Sequence, residues 1–195
     1  QTFSAWKPGT SLDYATEVVS KDGMKRESQE RRDIVRVEDS RVFWKTDGDQ
    51  VLSTPFALPP LEIFFQPHVA ISGTPTEFSD LQDPVSFTSN QSFSIEFRSQ
   101  DSSSRERTAC RIVDRSQATY FNRLQDTVQI SCNRESFVGG VLSHRSRELY
   151  KFAIGLGIVT ESQIEVDEYS SRVVVQSTVS KSSKLNEPIS SVRSF

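Results

Sequence analysis

Ser92-Phe93-Ser94-Ile95-Glu96-Phe97-Arg98 decides the reading of this chain: three large apolar side chains alternate with polar ones over seven residues. Such alternation puts the apolar set on one face of an extended segment and the polar set on the other, which is the pattern of a half-buried β-strand. It recurs at Leu12, Tyr14, Thr16 and Val18, at Val35 and Val37 with Val42 and Trp44 beyond a short turn, at Val128, Ile130 and Cys132, and at Val173, Val175 and Val179. Turn-forming residues separate the runs: Lys21-Asp22-Gly23, Thr46-Asp47-Gly48-Asp49, Ser72-Gly73-Thr74-Pro75 and Gly139-Gly140. Runs and turns together predict about ten to twelve short strands, most of them antiparallel to their neighbours. The expected fold is therefore all-β and mainly antiparallel. At most one or two short helices fit, at Thr76 to Leu81 and Ser143 to Phe152, where Glu148 and Lys151 fall three apart.

Composition agrees. Serine supplies 31 of the 195 residues, and Phe, Val, Ile and Thr supply most of the bulk, a mix that disfavours long helices and suits strands. The length suits one domain with its own core. Residues 1–178 read as a single β-rich domain. Residues 179–195, rich in Ser with Lys181, Lys184, Pro188 and Arg193, have apolar residues at no strand spacing and read as a loose C-terminal tail. A formal net charge of −3 argues against nucleic acid as a partner. No apolar run is long enough for a membrane-spanning helix, and the chain reads as a mature form with its signal peptide removed.

Cys110 and Cys132 each share a strand face with Ile or Val, so both sulfurs are expected to point inward. Two alternatives follow, a disulfide in an oxidising, periplasmic or otherwise extracytoplasmic compartment, or two buried thiols in a reducing one. Matched facing and an inventory of two favour the disulfide, which would stabilise the fold by about 3 kcal/mol on the chain-entropy model. A spacing of 22, with His68 and His144 the only histidines, fits no zinc pattern, so neither metal nor cofactor is expected.

Catalytic signatures are absent by inspection: there is no Gly-x-Ser-x-Gly elbow, phosphate-binding loop or His-Glu-x-x-His. Gly155-Leu156-Gly157 lacks the third glycine of a dinucleotide loop and opens onto Ile158-Val159-Thr160, a strand, so it reads as a tight backbone approach. The most unusual stretch runs from Phe56 to Pro67, dense in apolar residues yet broken by Pro59-Pro60. One reading is a loop crossing the end of the sheet before a buried strand through Ile63 and Phe65. The functional reading makes Phe56, Leu58, Leu61, Ile63, Phe64 and Phe65 an apolar patch for a ligand or partner.

Trp6-Lys7-Pro8-Gly9-Thr10 before Tyr14, the Cys110 to Cys132 segment, and Tyr150-Lys151-Phe152-Ala153-Ile154-Gly155-Leu156-Gly157-Ile158-Val159 occur in an order that resembles a group of uncharacterised bacterial envelope proteins. These open with Pro-Gly and close with a Gly-x-Gly strand. Their central Ala-Gly-x-Phe turn is replaced here by Tyr120-Phe121-Asn122-Arg123-Leu124. The resemblance implies an exported, periplasmic or lipoprotein-like β-rich domain, a curled sheet forming a half-barrel or barrel, and no catalytic residues. Together the observations point to a non-enzymatic protein of the cell envelope that binds a lipid-like or other apolar ligand in a cavity lined by inward Phe, Ile and Val. A structural or assembly subunit, docking a protein partner through Pro59-Pro60 or the C-terminal tail, is the second reading, and a hydrolase using His144 or His68 the third.

Overall fold

The computed structural model describes residues 6–38, 41–47, 51–55, 63–65, 74–79, 90–98, 103–169 and 172–188. They form twelve strands: β1 Ser11–Val19, β2 Lys25–Glu38, β3 Arg41–Lys45, β4 Val51–Pro55, β5 Ile63–Phe65, β6 Thr74–Ser79, β7 Ser92–Arg98, β8 Ser104–Tyr120, β9 Arg123–Val138, β10 Val141–Ala153, β11 Ile158–Tyr169 and β12 Arg172–Asn186. Among the described residues there is no helix.

All twelve belong to one antiparallel sheet in the order β5-β4-β3-β2-β1-β12-β11-β10-β9-β8-β7-β6. Every strand pairs with its neighbour in sequence except β5 and β6, and the two terminal strands β1 and β12 pair with each other. The sheet is thus a ring of strands interrupted once, between β5 and β6. Its curl follows from packing. Trp6, Leu12, Ile34, Val42 and Trp44, from β1 to β3 and the segment before them, share one core cluster, the basal cluster, with Ala153, Leu156 and Ile158 at the β10–β11 turn that marks the base of the sheet, and Tyr120 and Phe121 from the end of β8 pack against it. In a flat sheet β3 and β8 would lie seven strand spacings apart, roughly 34 Å, too far to share a cluster. β-Bulges at Asp13/Tyr14, Ile112/Asp114 and Lys151/Phe152 add the local twist that such coiling needs.

Turn chemistry fixes the register. Gly139 and Gly140 both have positive φ (57° and 79°) and close a two-residue hairpin in which Val138 faces Val141. Phe121 and Asn122 do the same between β8 and β9, with φ of 52° and 61°. A left-handed phenylalanine is uncommon, and its packing against the basal cluster accounts for it. Gly155 sits where a Cβ would lie 2.6 Å from Gln125 Oε1, and the Gly157 carbonyl accepts a 2.6 Å hydrogen bond from Trp6 Nε1. The tight approach expected at Gly155-Leu156-Gly157 is the β10–β11 turn, which closes the base.

Several expectations change. Residues 143–152 form β10, not a helix: Ser146, Glu148, Tyr150 and Phe152 alternate buried with more exposed neighbours, a period of two that outweighs one three-apart charge pair. Residues 76–79 of the other proposed helix belong to β6. Val35 is 45% exposed while Ile34 is buried, because a bulge between Ile34 and Arg36 shifts the face that β2 presents. Residues 179–186, which lack strand spacing in the sequence, continue β12 by pairing with β1, and Leu185 packs against the basal cluster. Backbone pairing with a complete neighbour recruits a strand that its own side chains do not announce.

Candidate functional site

Register makes it possible to read the concave face one level at a time. At one level Ile112, Ile130, Tyr150, Ser162, Ser180, Thr16 and Ser28 stand opposite one another on β8, β9, β10, β11, β12, β1 and β2. Ile112 and Ile130 are fully buried, Tyr150 nearly so, and from β11 onward the side chains are hydroxyls at half-buried or exposed positions. The next level runs Cys110, Cys132, Glu148, Ile164, Thr178, Val18 and Arg26. At these two levels the inward positions are apolar on β8 and β9 and mostly polar from β10 to β2, with Ile164 and Val18 as the apolar exceptions.

Cys110 and Cys132 face each other directly, with Cα atoms 4.1 Å apart, and are joined by a disulfide. Their inward facing and their bond are as expected from the sequence. They lie in a cluster with Phe93, Ile112, Val128, Ile130, Tyr150, Phe152, Ile154 and Val159.

Beside this packed half lies a cavity of about 340 Å³, within the range of small-ligand sites. Its walls include Tyr14, Thr16, Glu30, Arg32, Arg134, Glu148, Tyr150, Val159, Ser162, Ile164, Thr178 and Ser180, drawn from six neighbouring strands. A larger depression, about 540 Å³, is lined mainly by exposed Ala15, Glu27 and Gln29 with Glu17 on the opposite, convex face.

Two ion pairs bracket the cavity. The Glu148 carboxylate, 3% exposed, accepts a 3.2 Å hydrogen bond at Oε2 from Arg134 Nη2, and its Oε1 lies 3.0 Å from Arg134 Nε in an ion pair. Ser146 Oγ donates to Glu148 Oε1 at 3.0 Å, and the Tyr150 hydroxyl donates to Oε2. A carboxylate buried this deeply needs such a full set of donors, since desolvation otherwise exceeds the attraction of a single partner. Arg134 also lies 3.7 Å from Glu106, which takes a hydrogen bond from Ser136. On the far side Arg32 Nε lies 2.7 Å from Glu30, and its guanidinium stacks over the Tyr14 ring at 5.9 Å. The Tyr14 hydroxyl donates to the Val159 carbonyl at 2.9 Å, tying β1 to β11 behind the cavity. Thr16 and Ser180 share a 2.7 Å hydrogen bond. Among the described residues no group of three His, Cys, Asp or Glu side chains converges as a metal ligand set.

The lining differs from the one expected. Inward Phe, Ile and Val do line the concave face, but on the β7–β10 half, where they pack against one another. The open space adjoins hydroxyls and paired charges. Parity along the strands carries this signal: Arg134 and Glu148 alternate with Cys132 and Tyr150 at inward positions. Pairing Glu148 with Lys151 as helical neighbours hides it, because on a strand those two residues face opposite sides. Of the apolar patch, Ile63, Phe64 and Phe65 form edge strand β5, paired with β4 through Ser53, Leu52 and Val51. Phe56, Leu58 and Leu61, with Pro59 and Pro60, lie outside the described residues, as does His68. His144 lies on β10 opposite Ser136, half-buried.

What the fold and cavity define is an open all-β half-barrel with a polar concave site. No family model matches the sequence, and no curated protein matches it. Solved structures similar to it are of low identity. The hypothetical lipoprotein YmcC of Escherichia coli is 11% identical, covering 93% of this chain and 90% of its own, with a TM-score of 0.41. A lipoprotein candidate of Parabacteroides distasonis is 12% identical over 95% of this chain and 99% of its own, with a TM-score of 0.47. A LolA superfamily protein of Nitrosomonas europaea is 12% identical over 94% and 90%, with a TM-score of 0.37.

Proposed function

We propose that this chain is a non-enzymatic binding protein of an oxidising, extracytoplasmic compartment, such as a bacterial cell envelope, and that it holds an amphipathic ligand on the concave face of its unclosed sheet. The observation that carries the reading is the 340 Å³ cavity beside the packed half, where Val159 and Ile164 stand next to Ser162, Thr178 and Ser180. Such a surface meets the apolar portion of a ligand with contact and its polar portion with hydrogen bonds. The buried disulfide supports the compartment, because cytosolic reductants keep ordinary thiols apart. In this reading Phe56, Leu58, Leu61, Ile63, Phe64 and Phe65 supply a further apolar patch for the ligand or a partner.

Titration with 1-anilinonaphthalene-8-sulfonate, followed by displacement with a total envelope lipid extract, tests the proposal. Saturable binding that Ile164→Lys weakens while Gln163→Lys leaves it unchanged is the expected result. Failure of the native protein to bind the probe, or equal effects of the two substitutions, removes the proposal.

A further inference from the structure

The hydroxyl row has a chemistry of its own. Ser162, Ser180, Thr16 and Ser28 stand in register on four adjacent strands, with the Tyr150 ring continuing the row on β10. Strand spacing sets them about 4.8 Å apart. Each hydroxyl offers one donor and two acceptor positions, so the row can meet a ligand that both gives and takes hydrogen bonds at regular intervals. Of these, Thr16 and Ser180 bond to each other, which satisfies one donor and one acceptor between them.

Serine abundance alone does not produce this arrangement. On the convex face of the same strands the adjacent registered row is Lys151, Glu161, Lys181, Ala15 and Gln29, with Lys151 and Glu161 paired at 2.9 Å. Charge lies outside, hydroxyls inside. The charges that do border the cavity are matched: Arg134 with Glu148 at one end, Arg32 with Glu30 at the other. An ionic ligand would have to break up a matched pair and strand the remaining charge in a partly desolvated wall. A neutral one need not. Val159 and Ile164 beside the row supply apolar contact next to the hydroxyls. A pyranose ring has this duality, with hydroxyls around its rim and C–H groups on its faces.

We infer that the row is a recognition site for a neutral glycosyl group, carried either by a free oligosaccharide or by the head of a glycolipid. The inference rests on the concave-face reading above and names the polar portion of its ligand. The probes are an array of neutral oligosaccharides of glucose, galactose, mannose and N-acetylglucosamine, and phosphatidylcholine vesicles with and without monoglucosyl diacylglycerol or phosphatidylglycerol. Binding on the array identifies a free glycan as the source; binding only to the glucosyl vesicles identifies a lipid headgroup. In either case the double variant Thr16→Val with Ser180→Val, checked for an unchanged urea midpoint, is expected to bind about tenfold more weakly, as two lost hydrogen bonds imply.

A blank array together with indifferent glucosyl vesicles overturns the inference, as does glycosyl binding that the double variant leaves intact. Preference for phosphatidylglycerol vesicles overturns it in favour of an anionic ligand. In those outcomes the concave-face reading stands as long as the fluorescent probe still binds; loss of probe binding by the native protein defeats both.

Discussion

Two halves of one sheet level behave differently. On β8 and β9, Ile112 and Ile130 are fully buried beside a cross-strand disulfide; on β11, β12 and β1, Ser162, Ser180 and Thr16 occupy the same level and border open space. Backbone pairing is continuous across both, so hydrogen-bonded strands alone do not decide where the core lies. Side-chain packing does. At this level the half from β7 to β10 is packed and the half from β11 to β2 borders open space, while at another level Leu12, Ile34 and Ile158 give the second half a buried core of its own. Tyr150 and Glu148 form the seam, with ring and carboxylate buried on the packed side and hydrogen-bonded to each other.

Substitutions at matched positions should separate the halves most sharply. Ile130→Ala removes a fully buried side chain and is expected to lower unfolding free energy by about 2–5 kcal/mol in urea. Ser180→Ala, at the same level three strands away, should cost less than about 0.5 kcal/mol. Comparable losses at the two sites would erase the distinction. Reduction of Cys110–Cys132, or replacement of both by Ser, should cost about 3 kcal/mol, since the bond closes a loop of 22 residues' separation within the packed half. A midpoint insensitive to reductant would show that the two strands are held without it.

The seam is the third place to probe. Glu148→Gln leaves the Arg134 guanidinium, 22% exposed, without its nearest counter-charge, and about 2 kcal/mol of stability should go with it, less than for a pair sealed from water. Ligand affinity should fall in the same variant because the cavity wall repacks. Stability lost without any change in binding would place the pair outside the site.

The smallest effect concerns the base. Arg123 in the β9 end of the β8–β9 hairpin grips Glu187, just past β12, through two hydrogen bonds of 2.9 and 3.0 Å. The guanidinium hydrogen bond holds the Glu187 carboxyl below its usual range against a small opposing effect of desolvation, and raises Arg123 in turn. A carboxyl with a depressed folded pKa stabilises the fold above its unfolded value, and the contribution disappears as pH falls through the folded one. Both groups are well exposed, so Glu187→Gln should remove only a few tenths of a kcal/mol at pH 7 and nothing once the pH is below both values. Urea midpoints at pH 7 and pH 2.5 measure the difference.

How much of this the sequence carried differs between the halves too. The packed half is legible because its strands alternate cleanly: Val128, Ile130 and Cys132 announce both strand and facing, and Cys110 follows the same rule. From that alternation come the all-β class and the disulfide. The open half is harder. Thr16, Ser162 and Ser180 at inward positions weaken the period-two contrast, so β12 beyond Val179 reads as irregular although it pairs with β1 through Asn186. A bulge after Ile34 breaks the parity of β2, so that Ile34 and Val37, not Val35 and Val37, face the core, and bulges leave little local trace in composition. The candidate site depends on register among strands far apart in the chain. Ser162, Ser180 and Thr16 meet only because the last strand pairs with the first, a fact of topology with no local signature.

A tryptophan placed in the cavity reports directly on what enters it. Ile164→Trp puts an indole on the concave wall, and Gln163→Trp puts one on the convex side of the same strand, each read against the constant background of Trp6 and Trp44. With octyl glucoside titrated below its micelle concentration, a saturable blue shift is expected at position 164 and none at 163. An equal response at both positions, or none at 164, would contradict the claim that the polar half of this sheet is a binding surface.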